Sequence, residues 1–194
     1  QGGFRLVTSF VELNKFILPL PTKMPTSEDV LQTIARWQYI IVTDLTSSFF
    51  QIRMKEEAIK WLGTVTPYGG IRVYTRAAMG LRNMSEYLDE LLARVLKEYI
   101  RSRKACRIAD DLFVGGQTVE EAFQNWRSVL QTLHDNDIRL SPEKTKIAPR
   151  VSQVLGWIWD NGTLKVDPHK VSPLQQCPPP STVKQLRSFI GAYK

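Results

Sequence analysis

Apolar residues recur along this chain with two periods, and the switches between them mark its elements. Over residues 3–10, Phe4, Leu6, Thr8 and Phe10 alternate with Arg5, Val7 and Ser9, which predicts a strand with Arg5 on the face opposite Phe4. Pro19, Pro21 and Pro25 then make 16–25 an extended connection. From about Ser27 to Arg36 the period becomes helical. Val30, Leu31, Ile34 and Ala35 share a face, and Thr26 and Asp29 have capping-box spacing. Tyr39-Ile40-Ile41-Val42 is continuous and too short for a helix, so it predicts a strand buried on both faces, ending in Thr43-Asp44-Leu45. Two strands are predicted in 61–75, turning at Pro67-Tyr68-Gly69-Gly70.

A small-residue loop, 77–83, leads into the longest predicted helix, about 85–104. Leu88, Leu91, Leu92, Val95 and Tyr99 form its buried face. Glu86, Asp89 and Glu90 open it, and Arg101, Arg103 and Lys104 close it, in keeping with the helix dipole. Ile108 to Gly116 reads as two buried strands joined at Asp110-Asp111. A capped helix at 119–135 follows, with Thr118 and Glu121 as its box and Ala122, Trp126, Val129, Leu130 and Leu133 on its apolar face. Short strands are expected at 138–140 and 145–148. Another runs from Gln153 to Trp159, and Asp160-Asn161-Gly162 turns it into Leu164–Val166. Trp157 and Trp159 share a face of that strand and should share a fate. Pro178-Pro179-Pro180 is a stiff spacer before a last helix that starts near Thr182, with Gln185 at capping-box spacing. The order of elements predicts an α+β fold: an antiparallel sheet with helices on one face.

The candidate chemistry is in the carboxylates. Asp110 and Asp111 are adjacent like charges, and one would take up a proton unless a cation sat between them. Oxygen ligands of this kind suit magnesium. Asp44, at the end of the buried strand, can meet them, and three carboxylates on neighbouring strand ends suit a two-metal site. The competing reading of a lone Asp-Asp is a surface turn.

Composition narrows the picture further. A hydrophobic content of 43% over 194 residues fits one sizeable core, and the net charge of +7 favours polyanionic partners. No apolar run reaches membrane-spanning length, so no membrane partner is expected. Cys106 and Cys177 make no disulfide framework, and His134 and His169 lack metal-ligand spacing and read as surface residues. The chain begins Gln1-Gly2-Gly3, without Met, and reads as an excerpt of something longer.

The candidate segments also fall in a known order. Arg5-Leu-Val-Thr-Ser-Phe-Val-Glu-Leu-Asn14-Lys15 comes first, then Asp44-Leu-Thr-Ser-Ser-Phe49-Phe50. Met79-Gly80-Leu81-Arg82-Asn83 and Ala109-Asp110-Asp111 follow. Ser141-Pro142-Glu143-Lys144, Leu155-Gly156-Trp157-Ile158 and Leu186-Arg187-Ser188-Phe189-Ile190-Gly191 complete the series. Together they resemble the fingers and palm of a reverse transcriptase from a retrovirus or LTR retrotransposon of the gypsy-like group. The resemblance implies partial fingers at 1–38 and palm with the first catalytic motif at 39–55. It implies a fingers/palm hairpin at 56–76, palm with the paired-Asp hairpin and primer grip at 77–177, and a linker with the start of the thumb at 178–194.

By that resemblance the function is RNA- and DNA-templated DNA synthesis, as part of a larger polyprotein. Asp44, Asp110 and Asp111, with the Leu45 carbonyl, would hold two Mg2+ ions, for which Mn2+ could substitute. Lys144 would sit near the leaving pyrophosphate. Arg5, Ser47, Ser48, Phe49, Met79 and Gly80 would bind the nucleotide, with the Phe49 ring excluding a 2′-hydroxyl. Asn14, Arg82, Asn83, Leu155, Gly156 and Trp157 would meet primer or template. The implied partners are an RNA template, a DNA primer or duplex, deoxynucleoside triphosphates, and the remaining thumb, connection and ribonuclease H segments. The implied location is cytoplasmic, within virus-like particles.

The chain departs from the family pattern in places. Ile108 stands where a Tyr is usual, Ala78 and Ser85 where Pro is frequent, and Ser9 and Val11 replace a usual Asp and Arg. These departures keep an alternative open, a nucleic-acid-binding or structural descendant that no longer polymerises. A weaker alternative, an RNA-templated RNA polymerase, is opposed by the aromatic Phe49.

Overall fold

The computed structural model describes residues 8–21, 25–66, 68–169 and 178–193. In chain order its elements are α1 (Val11–Asn14), α2 (Ser27–Ile34), β1 (Tyr39–Asp44), α3 (Glu56–Ile59), β2 (Gly63–Val65), β3 (Ile71–Val73), α4 (Met84–Val95), α5 (Lys97–Arg101), β4 (Ala105–Ile108), β5 (Asp111–Gly116), α6 (Val119–Asp135), β6 (Lys146–Ile147), β7 (Val151–Val154), β8 (Trp157–Asp160), β9 (Thr163–Val166) and α7 (Val183–Tyr193). A four-stranded antiparallel sheet in the order β4-β5-β1-β6 forms the centre, and β2-β3 and β7-β8-β9 make two smaller sheets. The α+β class expected from the sequence holds.

The continuous apolar run of β1 has a direct cause. Ile41 faces one core with Leu112 and Val114 of β5, under Leu88 and Leu92 of α4 and Trp126, Val129 and Leu133 of α6. Ile40 faces a second core with Cys106 and Phe113, closed by Val30 and Ile34 of α2, Trp37, and Val154 and Trp159 of the small sheet. Each fully buried aliphatic side chain in these cores stabilises the fold by about 1.5–3 kcal/mol. The expectation of helices on one face is corrected here. The long helices α4 and α6 share a face, but α2 packs on the other, because alternation in β1, β4 and β5 leaves both faces apolar. Gly115 lets this second core close: a Cβ there would lie 2.3 Å from the Trp37 ring.

Other expectations are corrected in detail. Thr8 to Phe10 are not strand, and Phe10 leads directly into helix α1; the rest of that predicted strand, Arg5 included, lies outside the described residues. So do Pro67 of the predicted turn and Cys177. The single helix over 85–104 is two helices, and α6 is the longest instead. Leu96 leaves helical geometry at φ −97°, ψ 11° and is wholly buried. Asp89 does not serve the helix dipole at the surface but is buried.

The strand from Gln153 to Trp159 is a hairpin. Leu155 and Gly156 take φ of 52° and 80° between β7 and β8, the two left-handed residues that a tight hairpin turn requires. Trp159 is core while Trp157 is only half-buried, so the two do not share a fate. The strands predicted at 138–140 and 145–148 shrink to a Leu45–Leu140 bridge and β6. Ala35 and Leu130 are exposed at the edges of their helices.

The capping predictions hold. Thr26 Oγ1 accepts the Asp29 N–H at 3.2 Å. Thr118 Oγ1 accepts that of Glu121 at 3.1 Å, and Glu121 reaches back to the Gln117 N–H at 2.8 Å. At the last helix Gln185 and Thr182 exchange the corresponding bonds.

Candidate active site

Strand register brings the carboxylates together. β1 pairs with β5 so that Asp44 stands opposite Asp111. In the β4–β5 hairpin Ile108 pairs with Asp111, leaving Ala109 and Asp110 as the turn. Ala109 sits at φ 48°, a left-handed conformation that costs a non-glycine residue about 1 kcal/mol. The turn is held from β1, because the Leu45 N–H donates to Asp110 O at 3.3 Å.

Each carboxylate has its own surroundings. Ser48, itself buried, donates its hydroxyl to Asp110 Oδ2 at 3.0 Å. The Lys144 ammonium hydrogen-bonds Asp44 Oδ2. The Asp111 carboxyl still reaches solvent, yet lost hydration beside the hairpin raises its pKa above the ordinary carboxylate value. The Asp44 and Asp110 charges raise it further, and Lys144 pulls it back. The Lys144 pKa is raised in turn by its bond to Asp44 and by the neighbouring carboxylate charges, so the ammonium stays protonated. Among the described residues no three Asp, Glu, His or Cys side chains are grouped closely enough to hold a metal as they stand. Asp44 is turned to Lys144 and Asp110 to Ser48. The donor set nevertheless fits a hard divalent cation. It is all oxygen, it lies on adjacent strand ends, and its charges act on one another across the gap.

Asp44 and Asp110, but not Asp111, border a cleft of about 430 Å³. Asp44, Leu45, Ser47, Ser48, Phe49, Met79, Asp110 and Lys144 all line it. Phe49 is half-buried: it borders the cleft on one side and packs on the main core on the other. Ser47 is exposed at φ 46°, where the chain turns sharply out of β1. Thr8, downstream of Arg5, also lines the cleft and bonds the Tyr74 hydroxyl at 2.7 Å. Gly80 has φ 88°, and a Cβ there would come no nearer than 3.8 Å to Thr8 O, so its conformation rather than crowding calls for glycine.

The residues expected to meet primer or template fall into two groups. Asn14 donates to Gly80 O and accepts the Arg82 N–H, both at 2.8 Å. Asn83 donates to Leu18 O at 2.6 Å and accepts the Leu20 N–H at 3.1 Å. Arg82 Nη1 donates to Asn14 O at 3.2 Å. Both amides and part of the guanidinium thus fasten the 79–83 loop to the preceding segment. Leu155, Gly156 and Trp157 stand apart at the β7–β8 turn.

The site also depends on residues the sequence did not single out. Gln51 donates from Nε2 to Thr46 O at 2.5 Å and Arg139 O at 2.8 Å, and its Oε1 accepts the Arg139 N–H at 2.7 Å. It ties the turn after Asp44 to the segment leading to Lys144. Nothing in its sequence context marks it. Arg107 and Asp89 form an ion pair with side chains only 2% and 8% exposed, and Arg107 Nη2 also donates to Asp89 O at 2.6 Å. Here a signal existed: a charge inside the apolar run Ala105–Ile108 demands a partner. Cys106, by contrast, is a packing residue, its thiol pKa pushed up by burial.

A family model for reverse transcriptase (RNA-dependent DNA polymerase) matches residues 1–159. The chain belongs to the reverse transcriptase family. Curated relatives include the retrovirus-related Pol polyproteins from transposons opus and gypsy of Drosophila melanogaster. The first is 30% identical over 98% of this chain and 19% of the relative, the second 31% identical over 96% and 18%. The gypsy-like expectation therefore holds, and the chain spans about a fifth of the length of these relatives. Among solved structures, a foamy viral protease–reverse transcriptase in complex with double-stranded DNA aligns with a TM-score of 0.81. It is 20% identical and covers 97% of this chain and 33% of its own. That likeness is one of fold. No helix among the described residues is long and apolar enough to cross a membrane.

Proposed function

We propose that this reverse transcriptase chain is the polymerising core of an enzyme that copies RNA or DNA templates into DNA. It would join deoxynucleotides to a primer 3′ end. The observation that carries the proposal is the register that sets Asp44 opposite Asp111 with Asp110 at the adjoining turn, on a cleft shared with Phe49. Held by Asp44, Asp110, Asp111 and the Leu45 carbonyl, two magnesium or manganese ions would supply a lowered pKa for the attacking hydroxyl and neutralisation of the triphosphate.

The chain's own residues do the rest. Ser48 holds the Asp110 carboxylate in one orientation. Lys144, kept protonated by its carboxylate neighbours, delivers a proton to the leaving pyrophosphate. Phe49 lies under the sugar and leaves no volume for a 2′-oxygen. Arg5 and the 47–48 turn meet the triphosphate, and Met79 and Gly80 support the incoming base. Arg82 and the 155–157 turn meet template and primer. The net charge of +7 favours the backbone phosphates. Thumb, connection and ribonuclease H segments of the same polyprotein would complete the duplex grip, in cytoplasmic virus-like particles.

One observation favours the second reading, a binding protein that no longer polymerises: Asp44 is already engaged by Lys144 and Asp110 by Ser48. Primer extension on an RNA template with magnesium, by the polyprotein that carries this chain, separates the two. DNA synthesis lost on Asp110→Asn supports the enzyme, whereas duplex binding without synthesis supports the second reading.

A further inference from the structure

On the far side of Leu45 and Phe50 from the catalytic cleft lies a second cavity, of about 420 Å³. Leu88, Leu91 and Leu92 of α4 line it, together with Arg53, Arg76 and Arg139. Arg53 and Arg76 face each other in an antiparallel β-bridge. The flanking bonds, Met54 N to Thr75 O at 3.1 Å and Ala77 N to Ile52 O at 3.0 Å, make them a non-hydrogen-bonded pair. In that arrangement opposed side chains come closest, and like charges there are destabilising. Among the described residues, none of the three guanidiniums has a carboxylate within ion-pair distance, although Asp137 borders the same cavity.

Two of the three are also held in place. Arg76 Nη1 donates to Gln51 O at 3.1 Å, and the Gln51 side chain grips the Arg139 backbone on both its N–H and its carbonyl. The same residue that steadies the turn after Asp44 therefore steadies this cationic rim.

We propose that Arg53, Arg76 and Arg139 form a second phosphate-binding site, separate from the catalytic cleft, that takes a nucleotide phosphate with its sugar or base in the remainder of the cavity beside Leu91. Opposed guanidiniums are relieved by an anion between them, and their planar forks match phosphate oxygens. The volume exceeds what inorganic phosphate fills, which points to a phosphate carrying a further group. The phosphate can come from a free nucleotide or from a nucleic-acid strand.

The test is calorimetric titration of the chain in chelator-containing, metal-free buffer, so that binding does not depend on the catalytic carboxylates or on polymerase activity. The probes are adenosine monophosphate, a single-stranded oligonucleotide and inorganic phosphate. The variants are Arg53→Gln, whose side chain is exposed and can be changed without loss of fold, and Arg53→Gln/Arg76→Gln. Arg94→Gln/Lys97→Gln, two exposed cations elsewhere, is the control. Loss of charge-assisted bonds should weaken adenosine monophosphate binding about tenfold or more in the double variant and several-fold in Arg53→Gln, with inorganic phosphate competing. If only the oligonucleotide binds, and it loses more affinity on the arginine changes than on the control, the phosphate belongs to a strand. Binding of neither adenosine monophosphate nor the oligonucleotide, or a loss no greater than the control's, overturns the proposal.

Discussion

The Lys144 ammonium is hydrogen-bonded to Asp44 Oδ2, across the chain from the first carboxylate of the site to its only cleft-lining lysine among the described residues. A cation arriving at Asp44 must displace this contact. Lys144→Gln should therefore lower the melting temperature of the metal-free chain and enlarge the stabilisation produced by magnesium. In the full enzyme the same change should slow synthesis, by roughly a hundredfold if Lys144 acts as the general acid. Calorimetric melts at varied magnesium, beside single-turnover rates, check both halves.

Asp111 gives a pH dependence of definite sign. Its pKa is raised in the folded chain, so the folded state binds more protons than the unfolded state as the group titrates. The stability it contributes is full below the unfolded pKa and is lost as pH rises through the folded one. The Asp111 contribution to the metal-free melting temperature should therefore fall as pH rises over the acidic range, and the difference between the chain and its Asp111→Asn variant should change with pH accordingly. Magnesium should restore stability on the neutral side and have little effect on the acid side.

The buried Asp89–Arg107 pair leaves Asp89 Oδ2 and Arg107 Nε without partners. Removing one member strands a charge, so Asp89→Ala should cost about 3–5 kcal/mol in denaturant unfolding. Replacing both, as Asp89→Leu/Arg107→Met, should recover most of that loss. A double variant no more stable than the single would show that the two charges do not act as a unit.

Phe49 divides its surface between core and cleft, which makes sugar choice testable. Phe49→Val should cost about 2 kcal/mol in packing yet raise the efficiency of ribonucleotides relative to matched deoxynucleotides. Steady-state efficiencies for the two give the ratio. An unchanged ratio in a folded variant would remove the ring from the nucleotide site.

Much of this was legible in the residues, for reasons that separate local from distant forces. The α6 cap and the Asn161-Gly162 turn rest on bonds within a few residues, and each lies where its pattern put it, whereas the hairpin expected to turn at Asp110-Asp111 turns one residue earlier, at Ala109-Asp110, with Asp111 already in β5. Asp44 could be placed at a strand end because Tyr39–Val42 is apolar without a break. What escaped depends on partners far along the chain. Leu96 breaks its helix where that side chain enters the main core. Leu155, with no turn-forming character of its own, is carried into a left-handed turn by the pairing of β7 with β8. Gln51 acts on Arg139 across 88 residues, and no local pattern marks such a contact. The bonds of Asn14 to Gly80 O and of Asn83 to Leu18 O likewise join distant segments.

Whether Asp44, Asp110 and Asp111 form the chemical site is decided by one comparison. Primer extension on an RNA template is measured for the polyprotein carrying this chain and for its Asp110→Asn variant, with duplex affinity measured beside it. The variant is expected to bind primer–template as before and to extend it no faster than background. Near-normal extension by Asp110→Asn would contradict that assignment.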